Sequence, residues 1–464
     1  MISLLTADEM RAAERQAIEG WGIPSLVLQE HAALGALALL PPGQPVHVLA
    51  GPGNNGGDAL ALARLARLEG REVSVWSPTA QPGWRGDAAH QARLWKGLGG
   101  EIRTSATPVE VMAVWRGWVV DGLFGLGTTR PLEGVALAWV RALNASGLPV
   151  LALDLPSGLD PSAAEIPGEA VRATRTACFG LHKVCHGLMP AREACGEITV
   201  VPIPLDRPPQ AALSLLERPI LPPRAWDAHK GSFGHVAIRA GSLGMSGAAV
   251  LSALGALRVG AGLVTVLTEP EVRAEVAAQV PEAMVRPWQG TVPPEADVLL
   301  VGPGGISQVP DWEGPLVLDA SALKEGEGKR WMERPGTAIT PHPGEFARLF
   351  RLPRPMLMDE RLAQARQVSV GKPGVLLLKG AQSVLAGGAR DELWINPTGH
   401  PGLATGGSGD LLAGMVAGFR AQGLPMREAV AAAAWFHGAA ADRLPGAGLL
   451  PRDLADQLPE LLRG

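Results

Sequence analysis

Short apolar runs alternate with segments of helical periodicity through the first 200 residues of the chain. An apolar run bounded by glycine, proline or polar residues predicts a buried strand, and apolar residues at every third or fourth position predict a helix. Strands that alternate with helices are typical of a parallel α/β sheet. The pattern predicts helices over 4–18, 59–69 and 86–98, and strands over 45–50, 73–76, 119–121, 150–153, 171–179 and 197–201.

The alternation restarts in the second half of the chain. A proline-rich stretch over 202–209, continued by Pro219, Pro222 and Pro223, separates the two series and is typical of a linker. We therefore predict an α/β protein of two domains, 1–210 and 211–464, with the boundary near Gln210. The second series consists of strands over 235–239, 263–267, 298–301, 316–318, 338–339 and 374–378, and helices over 248–259, 346–350, 411–419 and 428–443.

A glycine-rich stretch, 401–414, surrounds a single carboxylate, Asp410, and leads into an apolar segment. Glycine permits positive φ and close approach of the backbone to a ligand. The first amides of a helix have no intrahelical partners and favour anions, so the loop is a candidate phosphate site. Beside a phosphate, Asp410 would be repulsive unless it accepts the proton of an attacking hydroxyl. The alternative is that Asp410 caps the helix.

Three predicted strands of the first half end in polar loops: 54–58, 121–130 and 154–157. Because the carboxyl ends of parallel strands share one edge of a sheet, we expect these loops to form one pocket of carboxylates, amides and an arginine. The alternative is that each loop is an ordinary turn, since each one taken separately also contains typical turn residues. Oxygen-bearing groups without sulfur suit a hard cation such as potassium, magnesium or calcium rather than zinc.

Composition limits the classes of function. The chain is 47% hydrophobic and 19% charged, and its net charge of -4 lacks the basic footprint of nucleic-acid-binding proteins. The N-terminus shows no signal-peptide pattern, and no apolar run is long enough to span a bilayer, so we expect a cytoplasmic protein without membrane contact. Cys178, Cys185 and Cys195 lie near two histidines, but the spacing matches no zinc pattern, and buried or incidental thiols are the favoured interpretation.

Three single residues of the second half are further candidates. His342 lies between two prolines at a strand end, where it could contact a ligand or form a turn hydrogen bond; we favour the ligand. Lys379 at another strand end could reach a phosphate or lie in solvent. His437 is expected to pack within a helix rather than bind a ligand.

Taken in order, these motifs resemble a known family. They lie at 54–58, 121–131 and 154–158 in the first half, and at 230–234, 302–304, 340–345, 379–380 and 396–414 in the second. The first set resembles the NAD(P)H-hydrate epimerase domain, and the second resembles the ADP-dependent NAD(P)H-hydrate dehydratases. The order is that of the fused bifunctional repair enzyme. The resemblance implies an N-terminal Rossmann-like three-layer sandwich and a C-terminal ribokinase-like α/β domain.

For the second domain, the resemblance implies that ADP phosphorylates the C6 hydroxyl of hydrated NADH or NADPH, after which phosphate leaves and the ring is restored. Asp410 would be the catalytic base, and the amides of 407–410 would stabilise the phosphoryl group. Magnesium is expected with the nucleotide. Substrate contacts would come from Ala248, Ala249, Gly304, His342 and Asp410, and nucleotide contacts from Lys379, Gly380, Ala381, Gln382, Ser383 and Gly409.

For the first domain, the resemblance implies interconversion of the two C6 epimers, because the dehydratase accepts only one of them. Asp154 would be the general base. Asn55, Asp121 and Ser157 would coordinate a potassium ion. Substrate contacts would come from Asn54, Asn55, Gly56, Gly57, Asp58, Gly125, Leu126, Gly127, Thr128, Thr129, Arg130, Pro131 and Asp154.

Two alternatives remain open. The second half could be a ribokinase-like kinase that phosphorylates a small alcohol and stops there, and the first half could be a non-catalytic nucleotide-binding module. The expected partners are small-molecule substrates, and we also expect a homo-oligomer. The sequence departs from the family pattern over 29–33, at Ala59, where another glycine is common, and at Ser321, where a second aspartate is usual.

Overall fold

A computed structural model describes residues 1–79, 83–105, 107–206, 211–444 and 446–463. The chain forms two compact units, one of Ser3–Ala211 and one of Met1–Ile2 with Ala212–Gly464. Gln210, where we expected the domain boundary, lies outside the described residues. Within the described ranges, no helix has both the length and the apolar character that crossing a membrane requires.

The first unit is built on a parallel sheet. The chain begins with strand β1 (Ile2–Leu4), which is not part of this sheet. The strands of the sheet are β2 (Val46–Ala50), β3 (Val73–Ser77), β4 (Ile102–Thr104), β5 (Trp118–Gly122), β6 (Val150–Leu153), β7 (Arg175–Phe179) and β8 (Glu197–Val201). They are ordered β4-β3-β2-β5-β6-β7-β8, and every neighbouring pair is parallel. The chain reverses its direction across the sheet between β2 and β5, which is where ligands bind in open α/β sheets.

Helices cover both faces of this sheet. Val48 and Val120 pack into one buried cluster, whereas their sequence neighbours Leu49 and Val119 pack into another. Because successive strand residues point to opposite faces, these clusters lie on the two sides, which confirms the predicted three-layer sandwich. The helices are α1 (Ala7–Arg15), α2 (Ser25–Leu37), α3 (Asn54–Leu68), α4 (Gly86–Gly97), α5 (Pro108–Met112), α6 (Gly134–Ser146), α7 (Val184–Gly187) and α8 (Ala191–Ala194).

The second unit has a larger mixed sheet. Its strands are β9 (Leu213–Leu215), β10 (His235–Arg239), β11 (Leu263–Thr268), β12 (Met284–Pro287), β13 (Val298–Val301), β14 (Leu316–Leu318), β15 (Thr337–Ile339), β16 (Val375–Leu378), β17 (Val384–Gly387) and β18 (Leu393–Ile395). The order is β1-β9-β18-β17-β16-β15-β14-β13-β10-β11-β12. The pairs from β12 to β16 are parallel, and β17 is antiparallel to both of its neighbours.

An alanine-rich helical layer completes the core of the second unit. The helices of the unit are α9 (Ser246–Arg258), α10 (Arg273–Gln279), α11 (Gly328–Glu333), α12 (Pro343–Phe350), α13 (Met358–Ser369), α14 (Ser408–Ala421), α15 (Met426–Asp442) and α16 (Pro451–Arg463). Four of them, α9, α14, α15 and α16, contribute most of a large apolar cluster with the strands.

Most predicted elements are present, several with identical bounds, but some boundaries were wrong. The expected turn over 54–58 forms the start of α3, because Gly56 lets the helix pack directly on the end of β2, where an added Cβ would lie 2.0 Å from Gly51 O. The expected helix over 4–18 is preceded by β1, and α1 begins at Ala7 after a capping box of Thr6 with Glu9. The expected strand over 171–179 begins only at Arg175.

Two glycines bring α9 and α14 into backbone contact. A Cβ on Gly255 would lie 2.2 Å from Leu411 O, and a Cβ on Gly414 would lie 2.0 Å from Ser252 O. The hydroxyl of Ser252 also donates to the carbonyl of Asp410 at 3.2 Å. The close helix pair therefore determines where the N-terminus of α14 lies.

We predict that Gly414→Ala destabilises the protein by about 1–3 kcal/mol, because the added methyl group must push the two backbones apart. Gly247→Ala is the matched control, since a Cβ there meets no atom within 4 Å and alanine favours a helix. The free energy of unfolding in denaturant measures both changes. Equal stability of the two variants would contradict the close-packing argument.

Candidate active sites

The first unit contains a cavity of about 900 Å³ at the carboxyl ends of β2, β5 and β6. The structure brings together at this cavity most of the residues expected to contact the hydrate: Asn54, Asn55, Asp58, Gly125, Leu126, Gly127, Thr128, Thr129, Arg130, Pro131 and Asp154. Gly56 and Gly57 are buried in the first turns of α3 instead. Sequence reasoning missed Glu14 of α1 and Gln29 of α2, which also line the cavity.

The three residues expected to bind potassium lie together around the carbonyl of Phe124, at the edge of the cavity. Ser157 donates its hydroxyl to one oxygen of Asp121 at 2.6 Å and its backbone N–H to the other at 2.8 Å. The side chain of Asn55 donates to the carbonyl of Phe124 at 2.8 Å, and its buried Oδ1 has no hydrogen-bond partner among the described residues. Asp121 is fully buried, and burial raises the pKa of its carboxyl group. A carboxylate, a hydroxyl, a carbonyl and an amide oxygen therefore converge, and the ion pairs of the described ranges include none to Asp121.

Asp154 lies at the end of β6 in a strained conformation. Its φ is 64°, a left-handed value that is uncommon outside glycine and is found at functional sites. Its Oδ1 accepts the backbone N–H of Phe179 at 3.2 Å and forms an ion pair with the ammonium of Lys183, which is fully buried. Sequence reasoning missed Lys183, although a lysine within an otherwise apolar segment was an available signal.

Two of the other carboxyl groups that line the cavity have raised pKa values. Burial, followed by the charge of Asp154, raises the pKa of Glu14 and raises the pKa of Asp58 well above its ordinary range. Arg130 is exposed at the rim of the cavity. The cavity thus combines one paired carboxylate with carboxyl groups that retain their protons more readily, an arrangement that suits acid–base chemistry.

In the second unit, Asp410 lies in the first turn of α14, which begins at Ser408 after Gly407 in the left-handed conformation. The pKa of Asp410 is raised to about 6, mainly by burial and then by the charge of Asp319, with Lys379 opposing the rise. The hydrogen bonds found in the described part of the chain include none that the Asp410 carboxylate accepts from the backbone. A helix cap made by Asp410 is therefore absent from this geometry.

Lys379 lies against the same helix end. Its ammonium is 2.8 Å from Oδ1 of Asp319, and it would be 3.2 Å from a Cβ placed on Gly409. Asp319 is 2% exposed and also accepts the hydroxyl of Thr340 at 2.8 Å. Sequence reasoning did not assign Asp319 to the site, although an aspartate directly after a buried strand was a usable signal. A cation and helix amides therefore meet beside Asp410.

The other expected residues of the second unit have mixed positions. His342 is exposed and caps α12, where its Nδ1 accepts the N–H of Gly344 at 3.0 Å. Ala249 is fully buried against Gly241, so Ala248 is the neighbour with exposed surface. Gly304 is buried beside the loop of Gly241, Gly380 and Ala381 are exposed, Gln382 is buried, and Ser383 is half-buried. His437 is buried in α15, as expected, and burial lowers its pKa to about 4.

The three cysteines are free and buried, which confirms the interpretation as buried thiols. Ligand atoms of Cys178, His182 and His186 nevertheless lie within 4.8 Å of one another. Nδ1 of His186 accepts the N–H of Lys183 at 3.2 Å, and burial raises the pKa of the Cys178 thiol to about 11. Because metal binding needs a thiolate, the raised pKa of the Cys178 thiol disfavours a metal ion here.

Comparisons with known proteins agree with the two-unit organisation. Residues 27–185 match the family model described as YjeF-related protein N-terminus, and residues 236–460 match the model described as NAD(P)H-hydrate dehydratase. A dehydratase structure from Bacillus subtilis, described as ADP/ATP-dependent and co-crystallised with ATP and Mg²⁺, is 32% identical and covers 52% of this chain and 94% of its own, with a TM-score of 0.48.

Relatives align over almost the whole chain. The bifunctional NAD(P)H-hydrate repair enzyme of Moorella thermoacetica is 33% identical over 99% of this chain and 96% of its own. That of Coxiella burnetii is 35% identical over 98% of each chain. The chain therefore belongs to the family of bifunctional NAD(P)H-hydrate repair enzymes.

Proposed function

We propose that this chain repairs hydrated NADH and NADPH in two steps. The first unit interconverts the two epimers at C6, and the second removes the C6 hydroxyl after phosphorylating it. The observation that carries the proposal is the first turn of α14, where Asp410 lies beside the amides of a helix N-terminus and the ammonium of Lys379. The family to which the chain belongs supplies the substrate class.

In the second unit, Asp410 would accept the proton of the C6 hydroxyl as that oxygen attacks the terminal phosphoryl group of the nucleotide. Hydroxide is a poor leaving group and phosphate is a better one, so the ring nitrogen can then expel phosphate and restore the dihydropyridine. The amides of 407–410 and Lys379 would stabilise the charge on the transferring group. Lys379 to Ser383 and Gly409 would hold the nucleotide. Ala248, Gly304 and His342 would contact the hydrate.

The proposed nucleotide is ADP, with magnesium neutralising its phosphates. The residues support an anion site with carboxylates nearby, since Asp319, Glu345 and Asp410 all lie close enough to Lys379 to raise its pKa. Carboxylate oxygens are the protein ligands that magnesium prefers. A magnesium ion held there would supply positive charge against the phosphates of the nucleotide.

In the first unit, Asp154 would act as general base toward the C6 hydroxyl. Loss of that proton allows the bond between C6 and the ring nitrogen to break, which leaves an aldehyde at C6 and the electron pair on nitrogen. Asp58, whose pKa is raised by burial, can supply a proton to that nitrogen. Closure on the other face of the aldehyde reverses both proton transfers and gives the other epimer.

The residues Asn55, Asp121 and Ser157 fit a potassium ion. In the part of the chain that the structure describes, Asp121 is buried without an ion-pair partner and Oδ1 of Asn55 without a hydrogen-bond partner, so a monovalent ion would compensate both. With the ion bound, these residues would hold the loop of Phe124, and with it the part of the cavity wall that follows Phe124 in sequence.

The cytoplasmic location and the homo-oligomeric state of the protein stay predictions.

A mixture of the two hydrate epimers tests the whole proposal. With ADP and magnesium, the full chain should convert both epimers to NAD(P)H and release inorganic phosphate. Without nucleotide, it should only interconvert the epimers, which chromatography resolves. Accumulation of a stable phosphate ester would instead indicate a kinase, and consumption of one epimer alone would indicate a non-catalytic first unit.

Asp410→Asn should lower the rate of dehydration by about 10²-fold or more, while nucleotide binding survives because backbone amides hold the anion. The wild-type rate should itself fall as pH drops below about 6, where Asp410 gains its proton. Initial rates of ADP-dependent NAD(P)H formation across pH measure both effects. Near-normal turnover of the variant would remove Asp410 from the role of base.

The same variant should be more stable than the wild type at pH 8. Because folding raises the pKa of Asp410 from 3.8 to about 6, the folded state binds more protons between these values, and stability is lost as pH rises through this window. Above it, the carboxylate destabilises the fold by on the order of 1–3 kcal/mol, which asparagine removes. The difference in free energy of unfolding should vanish near pH 4.

Replacing potassium by choline at equal ionic strength should reduce epimerisation at least tenfold and leave dehydration of the accepted epimer unchanged. Potassium should also raise the thermal stability of the wild-type chain, because it compensates the buried charge of Asp121. Asp121→Asn should abolish that potassium-dependent gain. An epimerisation rate indifferent to potassium would refute the cation site.

A further inference from the structure

Lys183 is a fully buried lysine beside the cavity of the first unit, at 0% exposure. Lysine is rarely buried completely unless its charge is paired. Its ammonium donates to the carbonyl of Phe179 at 3.0 Å and forms an ion pair with Oδ1 of Asp154. Burial alone would lower the pKa of Lys183, but the charge of Asp154, the hydrogen bond to Asp154 and the neighbouring Cys178 and Cys185 together oppose this effect, and the pKa is raised. The side chain therefore stays a cation.

The backbone around Lys183 is held on both sides. The N–H of Leu5 donates to the carbonyl of His182 at 2.9 Å, and the N–H of Val184 donates to the carbonyl of Leu5 at 3.0 Å. The N–H of Lys183 itself donates to Nδ1 of His186 at 3.2 Å. These bonds fix the start of the Lys183 side chain, so the position of its ammonium is determined by the fold rather than by a ligand.

The ammonium of Lys183 donates to only one of the two carboxylate oxygens of Asp154. Oδ1 receives both the ammonium of Lys183 and the N–H of Phe179. The hydrogen bonds found among the described residues include none to Oδ2, although Asp154 lines the cavity and is 7% exposed. Oδ2 is therefore the oxygen that a ligand in the cavity can reach.

Glu14 and Asp58, two other acidic residues of the cavity, have no such cationic partner among the described residues. The ion pairs found among the described residues include none for Glu14 or Asp58. Burial raises the pKa of both groups, and the negative charge of Asp154 raises it further. When carboxyl groups share one site, the group next to a cation ionises and its neighbours keep their protons.

We infer that Lys183 is a positioning residue for epimerisation: it makes Asp154, rather than Asp58 or Glu14, the ionised base of the cavity and leaves Oδ2 for the substrate. This inference rests on the proposed epimerase function of the first unit. A purely structural ion pair would also explain the burial of Lys183. The two roles differ in one respect, since only the positioning role links Lys183 to the pH at which epimerisation occurs.

The groups that face the pair from each packed element are few. Burial and the charge of Lys183 lower the pKa of His182 and His186, and burial raises the pKa values of the thiols of Cys178 and Cys185. These four groups are therefore neutral in the wild type above pH 7. Among the described residues, the titratable and charged groups around the pair include Arg11 and Glu14 of α1, Asp58 of α3, Asp87 of α4, Asp154 after β6, Cys178 of β7, His182 before Lys183, Cys185 and His186 of α7, and Arg192 of α8.

Lys183→Met and Lys183→Arg, made in the full chain and measured with potassium present, test the inference. Lys183→Met should lower kcat for epimerisation by about 10²-fold at pH 7, with KM changed less than about threefold. The loss should shrink as pH rises toward 9, because Asp154 then ionises without its cation. Lys183→Arg should retain kcat within about tenfold, since the charge remains. A loss that is equal at every pH, or no loss, would overturn the inference.

Arg64→Met is the matched control. Arg64 forms a part-buried ion pair with Glu30 in the same unit, and neither residue lines the cavity. Its removal should leave the pH dependence of epimerisation unchanged. A shift equal to that of Lys183→Met would indicate a general effect of lost ion pairs and would contradict the positioning role.

A measurement on the wild type keeps the inference falsifiable if Lys183→Met does not fold. Carbon-13 NMR of chain labelled at the aspartate carboxyl groups, with signals assigned by Asp154→Asn and Asp58→Asn, should show Asp154 ionised and Asp58 protonated at pH 7. The reverse order would overturn the inference. If the wild type does not interconvert the epimers, the proposed function fails, and the NMR order still decides which carboxyl group Lys183 ionises.

Discussion

The burial of carboxylates is the physical constraint on which both candidate sites depend. A carboxylate removed from water is costly unless a cation, a hydrogen bond or a proton compensates it. The groups that compensate the buried charge differ among the three principal carboxylates. Asp154 has the ammonium of Lys183, Asp121 has Ser157 and an arrangement that suits a metal ion, and Asp410 has only partial compensation from Lys379. In the proposed function, these differences assign Asp154 and Asp410 as bases and Asp121 as a cation ligand.

Backbone packing makes these environments possible. The glycine contacts between α9 and α14 place the helix N-terminus of Asp410 against the ends of β14 and β16, where Asp319 and Lys379 lie. In the first unit, Gly56 lets α3 begin directly at the end of β2, so Asn55 reaches the loop after β5. Small residues at such contacts allow polar side chains from distant segments to meet.

Much of this organisation could be predicted from the sequence. Apolar runs are local signals, and strands such as β6, β8, β10, β13 and β14 were predicted with the bounds that the structure shows. Since parallel strands share an edge, the convergence of Asn55, Asp121, Asp154 and Ser157 could also be inferred. Helix starts were less predictable, because α3, α12 and α14 begin with glycine, proline or polar residues that also favour turns.

The sequence by itself determined the fold class, the two series of strands, the motifs of the family and the polar loops at strand ends. These depend on local periodicity and on residue types at fixed spacing. Only the tertiary structure decided how each charge is compensated: that Lys183 pairs with Asp154, that Lys379 pairs with Asp319, and that Asn55 has an unpaired oxygen. Compensation depends on distances between segments remote in sequence and on their burial, and neither quantity is encoded in a local pattern.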